Sequence, residues 1–198
     1  AMLGPVTDAY RGQAGAIRAD ARSLLAVIDD LDLAARLEEG ALPRHSQPVA
    51  LAPLVASIVE ELAPLARARG ALLETSAADV VIESDARAVE RLVARLAATM
   101  LGTGSPGERL VLDVAPGSDG VWLTITRPAA LVGRDDAALF AHDDEVPGDG
   151  SLLGLGFALR LVRNLAHELG GALTIGADRM TLRLPAVLGG SNARARGA

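Results

Sequence analysis

The chain contains no cysteine and no lysine; all 19 of its basic residues are Arg. Without cysteine there are no disulfides, no thiol nucleophile and no thiolate metal site, which suits a reducing, cytoplasmic setting. The missing lysine, alongside an excess of Ala, reads as coding bias rather than chemistry. Aromatic residues make up only 2% although half the chain is hydrophobic, so the core has to be built from Ala, Leu and Val. Only two Asn occur, Asn164 and Asn192. No apolar run reaches membrane-span length, so no direct membrane contact is expected. Asp8, Arg11, Arg18 and Asp20 interrupt the first 20 residues, which leaves no signal-peptide core there. The net charge is −6 and the Arg residues are scattered, so no nucleic-acid footprint is present.

The 198 residues are enough for one good core and an appended element. Thr7 is a suitable N-cap after Gly4-Pro5. From there to about Glu39, only Gly12 and Gly15 oppose a helix. Tyr10, Ala14, Ile17, Ala21, Leu24, Ile28, Leu31 and Ala35 recur at alternating intervals of four and three, which is a heptad seam. Such a seam fits a helix packed on its own domain. It also fits a bundle helix with partners on another chain, since a long seam of this period wants a long partner.

Gly40 ends this helix, and residues 41–50 read as a linker. A helix is expected from about Leu51 to Arg69, with Pro64 as a possible kink. Short strands follow near Ala71 to Thr75 and Val80 to Glu83. Asp85 caps a helix from Ala86 to about Leu101. A hairpin runs from Arg109 to Val114 and from Val121 to Thr126. A helical turn from Asp135 to Phe140 leads into an acidic loop.

The last segment is the most specific. Gly154-Leu155-Gly156-Phe157-Ala158-Leu159-Arg160 opens a helix with an apolar stripe at Phe157, Leu161, Leu165 and Leu169. The helix stops at Gly170-Gly171. Two strands, Ala172 to Ile175 and Met180 to Leu184, close on Pro185. This order of elements predicts an α+β sandwich, with helices on one face of a mixed sheet.

The last segment resembles the end of the ATP-binding domain of sensor histidine kinases (GHKL/Bergerat type), where G-x-G-L-G-L-A-I-V-R-R-L-V-E-L-H-G-G precedes two strands ending in L-P. The spacing from Gly154 to Gly170-Gly171 matches without a gap. Leu24 to Leu33 and on to Gly40 is similar to the second helix of the kinase dimerisation domain. Val49 to Val55 is similar to the opening of the catalytic domain. The resemblance covers nearly the whole chain. It implies residues 1–40 as the second helix of a dimerisation and phosphotransfer hairpin, and residues 51–187 as the ATP-binding-like domain. A flexible tail is expected over 188–198. It also implies a homodimer through the seam Ile17, Ala21, Leu24, Ile28 and Leu31 with an upstream helix, and a response-regulator receiver domain as partner.

The same resemblance exposes departures. The family phosphorylates a histidine in H-E-x-x-x-P, and none of His45, His142 and His167 has that context. The acceptor helix is therefore expected to precede this sequence. The family's N-L-x-x-N-A-x-K-Y, whose Asn binds the phosphate-bridging metal, falls on Arg95 to Thr103. Arg95 and Thr99 stand where the two Asn belong, and Gly102 where the Lys belongs. Thr99 offers one neutral oxygen to a hard cation. Arg95 suits either a phosphate or a solvated, ion-paired helix face.

The family's D-x-G-x-G, whose Asp accepts the adenine amino group, falls on Arg127, Ala129 and Leu131. A charged hydrogen bond contributes about 1.5–3 kcal/mol, so the loss of the Asp alone weakens adenine binding by roughly ten- to a hundredfold. Gly154 and Gly156 are kept, either as an anion cradle at a helix N-terminus or as a tight turn into a core helix. Asp143, Asp144, Glu145 and Asp149 make the loop before them acidic, which fits a solvated loop or a carboxylate metal site. No catalytic residue and no metal ligand set is assigned. Neither ATP nor Mg is expected unless Arg95, Thr99, Arg127, Gly154 and Gly156 rebuild the site.

Three functions fit these residues. One is a degenerate kinase-like protein that signals through protein contact or as a histidine phosphotransferase. Another is an active autokinase with atypical boxes. The third is a different ATPase of the same fold, which needs the same Asn and Asp and lacks them equally.

Overall fold

The computed structural model describes residues 45–140 and 154–186, together with Ile28 and Ala35. The chain divides into two units, Ala1–Ala41 and Leu42–Ala198. In the first, Ile28 and Ala35 are helical and exposed. The seam residues Ile17, Ala21, Leu24 and Leu31 lie outside the described residues.

The second unit begins with β1 (Gln47–Ala50), which passes directly into α1 (Leu51–Arg69). Then come β2 (Leu72–Ala77), β3 (Val81–Ser84), α2 (Ala86–Thr103), β4 (Arg109–Pro116) and β5 (Gly120–Thr126). A 3-10 turn (Ala129–Leu131), the short α3 (Asp136–Phe140), α4 (Gly154–Glu168), β6 (Ala172–Ile175) and β7 (Arg179–Pro185) complete it. Five strands form a mixed sheet in the order β2-β4-β5-β7-β6. Only β2 and β4 run parallel; the other pairs are antiparallel. Within these residues the α+β expectation holds.

Two details differ from the sequence expectation. Residues 47–50, inside the expected linker, form β1, which pairs antiparallel with β3 in a separate two-stranded sheet. The two strands expected after α1 therefore part company: β2 enters the main sheet and β3 does not. The expected kink at Pro64 does not divide α1, which is one helix from Leu51 to Arg69. Pro64 is exposed, so the amide it lacks falls on the solvent side.

The core lies between one sheet face and the helices. Leu110, Leu112 and Val114 on β4, Val121, Leu123 and Ile125 on β5, and Met180, Leu182 and Leu184 on β7 are buried at alternate positions. Above them α1 packs on α2, and α2 packs on α4. Val89, Leu92, Val93, Leu96, Ala97, Met100 and Leu101 give α2 its helical apolar stripe. On α4 the buried face is wider than the stripe read from sequence. Leu155, Ala158, Leu159, Val162 and Ala166 are buried beside Leu161 and Leu165, while Phe157 is only half-buried. Among the described residues no aromatic side chain is in the buried core. The opposite sheet face is open, with Trp122 44% exposed. Among the described residues, no helix is long and apolar enough to cross a membrane.

Glycines end two helices for the same reason. Gly70 (φ +66) and Gly170 (φ +72) take the left-handed conformation that lets the following amides reach back to carbonyls one turn earlier. Ala71 N bonds Ala66 O at 3.0 Å, and Gly171 N bonds Ala166 O at 2.8 Å. Gly171 is also a close-approach position, because a Cβ there would sit 2.1 Å from the Arg183 carbonyl oxygen.

Candidate functional site

The residues singled out in sequence lie on three elements: the second half of α2, the carboxyl end of β5, and the start of α4. Asp85 fixes the first of these. One carboxylate oxygen accepts from the Ala88 amide at 2.9 Å and caps α2; the other accepts from the His45 amide at 3.1 Å and holds the chain just before β1. Burial pushes the Asp85 carboxyl up. The amides of Ala88, His45 and Arg87 and the nearby His45 outweigh it, and the net result lies below the ordinary value of 3.8.

Further along α2, Thr99 donates its hydroxyl hydrogen to the Arg95 carbonyl at 2.8 Å, within its own helix. Thr103 does the same to the carbonyls of Thr99 and Met100, at 3.2 and 3.1 Å. From Arg95 to Thr103 the helix carries no carboxylate and no side-chain amide. Among the described residues no group of three or more His, Asp or Glu side chains is placed to hold a metal ion.

Arg127 is the most constrained polar residue of the site. It is only 6% exposed. Nη1 donates to the Gly176 carbonyl at 2.8 Å, and Nη2 donates to the carbonyls of Leu131 and Arg134. Nε is buried without a partner. None of these bonds reaches α2 or α4. The guanidinium lies among backbone carbonyls of the β6–β7 turn, the 3-10 turn and the residues just after it.

Gly154 opens α4 with φ +77, a left-handed conformation that favours glycine, and a Cβ there would meet nothing within 4 Å. Gly156 is buried in the first turn of α4. α4 lies beside α2, so both glycines and the half-buried Arg95 and Thr99 belong to neighbouring helices.

Two features escaped the sequence reading. Arg160 Nη1 donates to the Phe140 carbonyl at 2.7 Å, and the Arg163 guanidinium carbon stands 4.3 Å from the Phe140 ring centroid. Together they clamp the end of α3 to α4. Their three-residue spacing on one helix, near the only Phe outside that helix, was the available signal. Glu108 is the second feature: its two oxygens accept from the Ser105 and Ala129 amides at 2.8 and 2.6 Å, joining the α2–β4 loop to the 3-10 turn. No sequence motif marks that bridge.

Two concavities among the described residues are lined by residues other than the motif residues. A cleft of about 290 Å³ lies on the open sheet face, lined by Val111, Asp113, Thr124, Thr126, Asp178 and Arg179. A groove between α1 and α2 carries Glu61, Arg87, Glu90 and Arg91, charges of both signs. His45 and His167 are exposed, and His142 lies outside the described residues.

No family model matches the chain, and no curated protein matches it. Solved structures do. The chain is similar to Acinetobacter baumannii histidine kinase AdeS, at 14% identity and TM-score 0.67, covering 93% of this chain and 87% of that one. It is similar to full-length ShkA in complex with AMPPNP, at 19% identity and TM-score 0.70, where it spans 96% of its own length and 42% of that protein. A histidine kinase from Burkholderia phymatum STM815 is 24% identical at TM-score 0.56, with 91% and 88% covered. The catalytic domain of histidine kinase ThkA matches at TM-score 0.54, with 99% of that domain covered. At these identities the likeness establishes the fold, which is that of histidine kinase catalytic domains.

Proposed function

We propose that the chain is a kinase-like signalling protein of the two-component type, in which the catalytic-domain frame is retained and the nucleotide chemistry is lost. One observation carries this reading: Arg127 stands where the resembled family has its adenine-accepting Asp. Its guanidinium, which has donors and no acceptor, is bonded to three backbone carbonyls. A base amino group would meet a cation already held in place.

The residues present do not fit ATP and magnesium. Magnesium takes hard oxygen ligands, and the second half of α2 offers only threonine hydroxyls bonded into their own helix. The acidic run at Asp143, Asp144, Glu145 and Asp149 disfavours phosphate by like charge. No phosphoryl-transfer step is assigned to this chain's residues.

In this reading the protein acts through contact. The seam Ile17, Ala21, Leu24, Ile28 and Leu31 associates with a second copy and an upstream helix, and a response-regulator receiver domain docks as partner in the cytoplasm. Ile28, the described member of the seam, is helical and 60% exposed, which suits a residue that wants a partner. If an upstream helix supplies the acceptor, the role becomes that of a histidine phosphotransferase. An active autokinase keeps one observation in its favour, the Gly154 turn at the start of α4, whose free amides suit an anion.

The full-length protein incubated with γ-labelled ATP and magnesium should incorporate no phosphate, while a phosphorylated receiver domain should still bind it. Stable label on a histidine would establish the autokinase instead.

A further inference from the structure

Arg127 fastens the carboxyl end of β5 both to a turn distant from it in the chain and to the segment that directly follows it. Its backbone amide donates to the Asp178 carbonyl at 2.9 Å, and Nη1 donates to Gly176 O at 2.8 Å, so main chain and side chain hold the same β6–β7 turn. Nη2 reaches the other way, to the carbonyls of Leu131 and Arg134. From the opposite side Glu108 takes the Ala129 amide at 2.6 Å. Between these anchors the run closes on itself: Leu131 N bonds Pro128 O at 2.8 Å, Val132 N bonds Ala129 O at 3.2 Å, and Arg134 N bonds Leu131 O at 3.2 Å.

This run has little else to order it. Ala129, Ala130, Val132, Gly133 and Arg134 are exposed, and Leu131 supplies its buried apolar contact together with Pro128. Segments with few buried contacts and exposed hydrogen bonds open locally at low cost. A buried guanidinium shared by backbone carbonyls opposes that opening, because charge-assisted hydrogen bonds strengthen away from water. The carbonyls of Gly176, Leu131 and Arg134 converge on a donor covalently part of the chain. No bound molecule is needed to satisfy them.

We propose that Arg127 is an internal lock that holds residues 128–134 in one conformation without a ligand, so that this segment is presented in the same form whether or not nucleotide is in solution. The inference rests on the reading of the nucleotide site as degenerate, and the two fail differently. The lock needs only the Arg127 bonds; ligand independence needs both.

Amide hydrogen exchange on the whole chain tests it, comparing wild type, Arg127→Met and Arg127→Lys, each with and without millimolar ATP and magnesium. In wild type the amides of Leu131, Val132 and Arg134 should be protected and unchanged by nucleotide. In Arg127→Met they should exchange at least tenfold faster, together with the 176–179 turn, while β4 and β5 amides keep their protection. Arg127→Lys keeps the charge but offers one nitrogen in place of a planar fork. It should give an intermediate rate, and it carries the test should Arg127→Met not fold. Wild-type exchange at 131–134 in a folded variant overturns the lock and leaves the degenerate-site reading standing. Protection that appears in wild type only with ATP and magnesium overturns that reading and ligand independence with it.

Discussion

Asp85 uses its two carboxylate oxygens on two parts of the chain, the first turn of α2 and the entry to β1. Replacing it with Ala removes both and should cost about 1 kcal/mol in urea unfolding, the usual effect of losing an N-cap. Asp85→Asn retains an acceptor for Ala88 but presents an amide toward the His45 N–H, so it should cost less than Ala. Because the Asp85 carboxyl lies below its ordinary value when folded, its contribution is complete above the unfolded value near pH 4 and disappears as the pH falls through the folded one. The stability gap between wild type and Asp85→Asn should thus narrow as the pH falls below about 4. A gap that widened toward low pH would contradict the assignment.

Arg127 is the other residue-scale case. Truncation to Met leaves the carbonyls of Gly176, Leu131 and Arg134 without this donor, and should destabilise the protein by about 2–4 kcal/mol in the same measurement. The sequence showed that an Arg stands at this place. It did not show its role, because the acceptors come from a turn 49 residues away and from a segment without a motif.

Among elements, α4 was legible and β1 was not, for opposite reasons. The glycines that bracket α4 act locally: Gly154 sets the entry and Gly170 the exit, and both have positive φ. The apolar period between them is also local. β1 is four residues, Gln47-Pro48-Val49-Ala50, with a proline and no alternation, and it is a strand because β3 pairs with it. The parallel pairing of β2 with β4 is likewise not marked by any pattern in Leu72 to Ala77. Two substitutions test the glycine account at this scale. Gly70→Ala should cost about 1 kcal/mol through its left-handed φ. Gly171→Ala should cost more, about 2–3 kcal/mol, because its Cβ would lie 2.1 Å from the Arg183 carbonyl and β7 would have to move. Equal melting midpoints for the two variants would show that the close approach is unimportant.

For the whole molecule, fold and chemistry make different demands on the sequence. The buried faces of α1, α2, α4 and the five-stranded sheet need only apolar residues at the right period, and Leu, Val and Ala, joined by Ile and Met, supply them. That pattern was visible from sequence, and the likeness to AdeS and to ShkA follows from it at 14% and 19% identity. A nucleotide site asks for particular polar groups at a few positions. In the proposed reading Arg95, Thr99 and Arg127 stand at those positions in place of the family's Asn and Asp. The departures were readable one by one. The bonding of the Arg127 guanidinium and the Phe140 clamp from Arg160 and Arg163 were not readable, because they depend on chain segments brought together by folding.

Isothermal titration of ATP into the protein, with and without magnesium, tests the proposed loss of nucleotide binding most directly. No saturable heat at millimolar nucleotide in either condition is the result predicted by Arg127 and by the missing oxygen ligands on α2. Saturable, magnesium-dependent binding in the micromolar range would contradict it and show that the retained frame still holds a working nucleotide site.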